Sequence, residues 1–243
     1  MTALVAVAHG SRDPRSAATV HALLDVVRAL RPSLDVRGSF LDLSAPRLGD
    51  VLRAVRGAGH RSAVVVPLLL GKAFHARVDV PSAVAEARLP SLDVTIADVL
   101  GPDPRLESAA LRRLASVGVG AERDWGVVLA GAGSSHAPAN ALVSSIARRW
   151  ARESKWSGVE AAFASTASPD VPTAVERLRA GGALRIAVAS WFLAPGLLPD
   201  RVAASAGGDA VIAPPLGPDP EVAELVLHRF ESAVASDLAV QSA

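Results

Sequence analysis

The sequence repeats itself once, and this duplication restricts the chain to folds built from two similar halves. The residues Leu-Gly-Pro-Asp-Pro occupy positions 100–104 and occur again at positions 216–220. A single long repeat of this kind is typical of a duplicated domain rather than of a solenoid. We therefore predict two domains of one fold, residues 1–120 and residues 121–243.

Other pairs of similar segments lie a second, constant number of residues apart in the sequence. Residues 40–46 correspond to residues 163–169, and residues 8–11 correspond to residues 131–134. The same separation aligns the apolar residues 67–70 with residues 190–193. The two predicted domains therefore have the same order of elements.

Each half alternates short apolar runs with segments of helical periodicity. In the first half the predicted strands are residues 3–8, 34–41, 62–70 and 92–97, and the predicted helices are residues 15–31, 46–56, 80–88 and a segment beginning at Pro104. Strands separated by helices of this length favour parallel βαβ units. The predicted class is α/β, with a parallel sheet of about four strands in each domain, ordered 2-1-3-4 and flanked by helices as in flavodoxin- or Rossmann-type folds.

Composition excludes several function classes. The chain has 243 residues, no cysteine and a formal net charge of +1. Thiolate metal sites, cysteine nucleophiles and disulfides are therefore excluded, and the charge gives no reason to expect nucleic acid or a membrane as partner. With no signal-like segment at Met1, the expected location is the cytoplasm.

Ionisable residues follow three successive predicted strands of the first half. His9 ends the first strand, Asp42 ends the second, and His75 comes after the third. In a sheet ordered 2-1-3-4, strands 1 and 3 are neighbours, so both imidazoles are expected at one carboxyl edge. Two imidazoles and a carboxylate suit a divalent first-row metal, although each histidine alone would also fit a loop or cap role.

Several polar residues flank the two histidines. Ser11 and Arg12 follow His9, and Lys72 and Arg77 flank His75. The three cations could bind an anionic substrate, whereas the alternative for each is a solvated surface charge. Ser11 is a further candidate substrate-binding residue, although it could instead cap the following helix, as could Asp13 ahead of Pro14.

The second half lacks these ionisable groups. The positions of His9, Asp42 and His75 correspond to Ala132, Ser165 and Leu198. A second site of the same kind is therefore not expected. His136 remains open between a site role and a helix-start role.

A glycine pair gives a weaker alternative. Gly131 and Gly133 follow a strand as in a dinucleotide-binding turn, but His136 occupies the position of the third glycine.

The motifs of the first half together resemble a known family. The Ala-His-Gly-Ser-Arg-Asp-Pro segment at 8–14, Phe-Leu-Asp-Leu at 40–43 and Val-Pro-Leu-Leu-Leu at 66–70, followed by His75, are similar to the sirohydrochlorin chelatases, the class II tetrapyrrole chelatases of siroheme and cobalamin biosynthesis. The resemblance implies a chelatase-like fold with an active-site cleft between two α/β domains. It also implies that His9 and His75 are the catalytic, metal-binding pair. That family usually has glutamate at the position of Asp42.

The resemblance implies a lyase that inserts Co²⁺ or Fe²⁺, with Ni²⁺ as a further candidate, into sirohydrochlorin. The metal is then a substrate, and no organic cofactor is expected. The alternative is a metal or tetrapyrrole carrier without turnover. Because an internal duplication can replace a homodimer, we expect a monomer.

Overall fold

Two four-stranded parallel sheets form the framework of the protein. The computed structural model describes residues 2–71, 78–87 and 89–241. In chain order the elements are β1 (Thr2–Ala8), α1 (Pro14–Leu30), β2 (Val36–Phe40), α2 (Leu48–Gly57), β3 (Ser62–Pro67), α3 (Val80–Glu86), β4 (Asp93–Ile96), α4 (Pro104–Ser116), β5 (Trp125–Gly131), α5 (Ala137–Glu153), β6 (Gly158–Phe163), α6 (Val171–Ala180), β7 (Arg185–Ser190), α7 (Leu197–Ser205), β8 (Val211–Ile212) and α8 (Pro220–Gln241).

Both sheets have the predicted strand order. The first is β2-β1-β3-β4 and the second is β6-β5-β7-β8, with all neighbouring strands parallel. The prediction of two duplicated α/β domains, each with a four-stranded parallel sheet, is therefore confirmed. The central strands are β1 and β3 in the first sheet and β5 and β7 in the second. Because they are buried on both faces, their sequences are largely apolar and lack a polar alternation.

The first sheet buries its two faces against different helices. On one face, alternate residues of β1 pack with apolar residues of α2 and α3; this cluster includes Ala3, Val5, Val7, Leu48, Leu52, Val55, Ala63, Val65 and Val80. On the other face lie α1 and α8, which contact each other. The inward-facing positions of α1 have helical spacing and are Val20, Leu23, Leu24 and Val27.

The second sheet has an equivalent core. Its cluster joins β5, β6 and β7 to α6 and α7 through Val128, Ala130, Ala162, Val171, Ala174, Val175, Leu178, Ile186, Val188 and Val202. Trp191 is buried, and the half-buried Phe192 packs against this cluster. Both aromatic residues therefore belong to the core of this unit.

The last helix of each half belongs to the other compact unit. One unit comprises residues 1–105 and 217–243, and the other comprises residues 106–216. Helix α8 lies against α1, β3 and β4, while Glu107 of α4 accepts a hydrogen bond from the indole N–H of Trp150 in α5 at 3.0 Å. The two compact units therefore do not coincide with the two halves of the sequence.

Several element boundaries differ from the sequence prediction by one to three residues. Helix α2 begins at Leu48 rather than at Pro46, because Pro46 belongs to the preceding turn, where its carbonyl accepts from the N–H of Phe40 at 2.9 Å. Strand β3 ends at Pro67, although the N–H of Leu68 still donates to the carbonyl of Val7 at 2.8 Å.

Among the described residues, none of the helices has the length and apolarity that a bilayer span requires.

Candidate functional site

His9 is the first residue beyond β1, at the carboxyl edge of the first sheet. It is half-buried, and its Nδ1 lies 3.2 Å from the carbonyl oxygen of Gly10. The backbone pairing between β1 and β2 continues past the strand ends, because the N–H of Asp42 donates to the carbonyl of His9 at 2.9 Å. His9 and Asp42 are thereby placed at adjacent strand ends, as the sequence predicts.

Gly10 permits the close approach of the two loops. Its φ is +94°, and a Cβ at this position would lie 1.7 Å from the carbonyl oxygen of Asp42. Only glycine fits here, because a side chain would both strain the backbone and collide with Asp42. The glycine of the His-Gly-Ser motif therefore serves the geometry of the site.

The turn after β2 directs Asp42 outward. The N–H of Ser44 donates to the carbonyl of Asp42 at 2.7 Å, and Leu43 between them has a φ of 61°. A bulky residue with positive φ is uncommon and persists where its surroundings determine the conformation. The carboxylate of Asp42 is exposed as a result.

Asp42 has a cationic partner that the sequence analysis did not identify. The Nη1 of Arg47 donates to Oδ1 of Asp42 at 2.7 Å and to the carbonyl of Leu41 at 2.7 Å. This hydrogen bond lowers the pKa of Asp42 below its ordinary value, and the Leu43 N–H and His9 lower the same pKa further. The carboxylate is therefore ionised near neutral pH.

Ser11 shapes the loop after His9. Its N–H donates to the Ser44 hydroxyl at 3.1 Å, and that hydroxyl donates to the Ser11 carbonyl at 2.9 Å. The Ser11 hydroxyl accepts from the N–H of Asp13 at 3.0 Å. The N-cap of α1 is Asp13, not Ser11, and its carboxylate accepts from the N–H of Arg15 at 2.9 Å.

Of the three candidate substrate-binding cations, the structure describes one. Arg12 is exposed, on the loop between His9 and α1. Lys72, Arg77 and the second histidine of the predicted pair, His75, lie outside the described residues. Strand β3 pairs with β1, and the described chain continues beyond the end of β3 as far as Gly71. Within residues 2–71, 78–87 and 89–241, no group of three or more His, Asp or Glu side chains is arranged to hold a metal ion.

The second unit repeats the loop geometry without the ionisable groups. Gly133 has a φ of +82°, and a Cβ there would lie 1.8 Å from the carbonyl oxygen of Ser165. The N–H of Ser165 donates to Ala132 at 3.0 Å, as that of Asp42 does to His9. Gly133 therefore permits this close contact between the two loops. The backbone conformation is the same as in the first unit, although Ala132 and Ser165 replace the ionisable residues.

The remaining histidines occupy structural or surface positions. His136 is the N-cap residue of α5, and its N–H donates to the Ser134 hydroxyl at 3.0 Å. His60 Nε2 lies 2.9 Å from a carboxylate oxygen of Asp35, at the opposite edge of the first sheet. His21 and His228 are exposed on helices.

Relatives of known name share both halves of this chain. A sequence model of the CbiX family matches residues 3–117 and 126–233. The sirohydrochlorin cobaltochelatase of Priestia megaterium is 26% identical over 211 residues, which are 83% of this chain and 67% of that protein. The sirohydrochlorin ferrochelatase of Bacillus subtilis strain 168 is 28% identical over 203 residues, 82% of this chain and 77% of that protein.

Solved structures share the fold. SirB from Bacillus subtilis with Fe³⁺ superposes with a TM-score of 0.81 at 24% identity, covering 97% of each chain. CbiX, described as the terminal enzyme for biosynthesis of siroheme in denitrifying bacteria, gives a TM-score of 0.68 at 22% identity, covering 95% of this chain and 99% of that one. The family resemblance stated from the motifs is thus confirmed, and this chain belongs to the CbiX family.

Proposed function

We propose that this protein is a sirohydrochlorin chelatase, which inserts Co²⁺ or Fe²⁺ into the sirohydrochlorin macrocycle. The observation that carries the proposal is the family match over both repeats, combined with a histidine and an ionised aspartate at adjacent strand ends of the first sheet. Relatives at 26–28% identity carry the names cobaltochelatase and ferrochelatase.

The reaction needs groups that hold a metal weakly and accept protons. Insertion replaces two pyrrole N–H protons by one divalent ion, so two protons must leave the ring nitrogens. An imidazole can bind the incoming ion or take a proton near neutral pH. We assign these roles to His9 and His75, with His9 half-exposed and therefore accessible to both substrates.

The remaining site residues would bind and orient the substrates. Asp42 supplies a negative charge near His9 that favours a divalent cation. Sirohydrochlorin carries many carboxylates, and Arg12, Lys72 and Arg77 are proposed to pair with them. Ser11 contributes through the turn that it forms with Asp13 and Ser44.

The choice of metal is proposed only as Co²⁺ or Fe²⁺. Imidazole and carboxylate ligands bind several divalent first-row ions, and availability frequently decides among them. Ni²⁺ follows from the same ligand chemistry as a third ion to test.

The test is an anaerobic spectroscopic assay of metal insertion. Purified protein, present at about one hundredth of the sirohydrochlorin concentration, is mixed with Co²⁺, Fe²⁺ or Ni²⁺, and the macrocycle absorbance is followed against a protein-free control. We expect many turnovers per protein with at least one of the first two ions. An absorbance change limited to one equivalent per protein would instead establish the carrier alternative, and no acceleration with any ion would overturn the proposal.

A further inference from the structure

The side chain of Arg47 holds the site carboxylate from a fixed backbone position. A single nitrogen, Nη1, donates to both Asp42 Oδ1 and the Leu41 carbonyl, each at 2.7 Å. The backbone of Arg47 is bridged to Phe40 at the end of β2, and its carbonyl accepts from the N–H of Val51 in the first turn of α2. The guanidinium therefore reaches Asp42 from an anchored segment.

Arg47 is an unfavourable residue for the position that it occupies. It is the N-cap of α2 and forms no side-chain cap hydrogen bond. Ser, Thr, Asp and Asn are preferred there because their side chains accept from the first helical N–H groups. A residue that forgoes a local stabilising role is a sign of a function elsewhere.

The second repeat shows the same position without that function. Asp170 is the residue equivalent to Arg47, and its carboxylate caps α6 by accepting from the N–H of Thr173 at 3.0 Å. In that repeat Ser165 replaces Asp42, so there is no carboxylate to hold. The arginine is thus present in the repeat that has the site aspartate, and a capping aspartate is present in the repeat that lacks it.

We propose that Arg47 is a positioning residue that competes with the metal for Asp42, a proposal that rests on the chelatase function above. The guanidinium pairs with one oxygen of the carboxylate, Oδ1, so an ion at His9 must share or displace this cation to gain the negative charge of Asp42, and the guanidinium recovers the full pair when the ion leaves. Asp42 is therefore a transient ligand. A weakly held ion is what insertion requires, because a closed, tight site would retain the metal.

The proposal predicts opposite changes in metal affinity and turnover. Without Arg47, Asp42 is free to stay on the metal, so the Kd and the KM for Co²⁺ should fall. Release to the macrocycle should slow, so kcat should fall as well. Since the pair is solvent-exposed, we expect changes of about two- to fivefold.

The experiment uses Arg47→Ser in the full-length protein. Serine restores a capping hydroxyl at the N-cap of α2, so the variant should fold at least as stably as the natural protein. Co²⁺ affinity is measured by competition with a chromophoric chelator, and kcat and KM for Co²⁺ are measured in the insertion assay. Arg47→Lys keeps a cation at this position and should restore values near those of the natural protein.

A matched control lies nearly two turns further along α2. Arg53 pairs with Asp50 on the same helix, and the two side chains are about as exposed as those of Arg47 and Asp42. Arg53→Ser therefore removes a comparable ion pair away from the site, and it should leave Co²⁺ affinity unchanged.

Combining Arg47→Ser with Asp42→Asn tests whether Arg47 acts through Asp42. Arg47→Ser should have no effect on Co²⁺ affinity once Asp42 is neutral. Unchanged or weaker Co²⁺ binding in Arg47→Ser, or tighter binding that persists with Asp42→Asn, would overturn the role of Arg47. These binding results stand apart from turnover: if the natural protein inserts no metal, the chelatase proposal fails, whereas the affinities still decide whether Arg47 competes for Asp42.

Discussion

At the scale of single residues, the position of His9 depends on the glycine that follows it. Gly10 has positive φ and lies against the carbonyl of Asp42. From the sequence, His9 and Asp42 could be placed at neighbouring strand ends because parallel strands align their carboxyl ends. Arg47 could not be identified as their companion, because its reach to Asp42 depends on a turn conformation that no spacing rule encodes.

Replacing Gly10 by alanine should disrupt the site as well as the fold. The new Cβ would overlap the Asp42 carbonyl, so the two loops must separate, and we expect insertion activity to fall at least tenfold. Gly59→Ala is the matched control, since Gly59 has a φ of +89° but open space around it. Left-handed strain alone costs about 1–2 kcal/mol.

Urea unfolding and the insertion assay separate the two effects. Gly59→Ala should lower the free energy of unfolding by about 1–2 kcal/mol and keep its insertion activity. Gly10→Ala should lose more free energy of unfolding and should also lose insertion activity. Equal losses in the two variants would show that the contact with Asp42 is unimportant.

At the scale of elements, the amino edge of the first sheet is held by a charged cluster away from the site. Arg37 on β2 donates to both carboxylate oxygens of Asp35, and His60, just before β3, lies 2.9 Å from one of them. The carbonyl of Asp35 also accepts from the N–H of Leu4 in β1. The cluster thus connects the starts of three strands.

This cluster predicts a pH dependence of stability. The hydrogen bonds from Arg37, and to a lesser extent His60, lower the pKa of Asp35 below its ordinary value. A carboxyl whose pKa is lower in the folded state stabilises the fold above its unfolded pKa, and this stabilisation is lost as pH falls through the folded pKa.

Asp35→Asn should therefore reduce the free energy of unfolding by roughly 1–2 kcal/mol at pH 7. The difference from the natural protein should shrink as pH falls below about 4, as measured by urea unfolding across that range. Asp25→Asn, which removes a more exposed pair with Arg28, should have a smaller effect at every pH. A difference for Asp35→Asn that stays constant with pH would contradict this explanation.

Strand order was the most predictable property at this scale. Apolar runs on β1, β3, β5 and β7 identify the central strands, and right-handed βαβ connections leave few topologies for four parallel strands. The start of α2 was not predictable, since Pro46 fits a first helical turn as well as the turn that it forms here.

At the scale of the whole molecule, the two repeats exchange their last helices. Helix α8 completes the first unit, where Val222, Leu225 and Val226 are fully buried. The sequence gives no sign of the exchange, because α4 and α8 both follow the same Leu-Gly-Pro-Asp-Pro motif. Local sequence determines that a helix begins there, but not which sheet it covers.

The exchange predicts which fragment folds. Residues 1–120 lack α8 and should show no cooperative urea transition. A chain of residues 1–104 joined directly to residues 221–243 keeps the shared motif intact and restores α8 to the first sheet. We expect this second fragment to unfold cooperatively. The reverse result would contradict the assignment of α8 to the first unit.

The central claim is that His9 of the first repeat carries out metal insertion. The most direct test is the initial rate of Co²⁺ insertion at sub-stoichiometric protein for His9→Ala, with the exposed His228→Ala as control. We predict a loss of about a hundredfold or more for His9→Ala, the contribution typical of a group that transfers protons or binds metal, and no loss for His228→Ala. Insertion by His9→Ala at the rate of the natural protein would contradict the account.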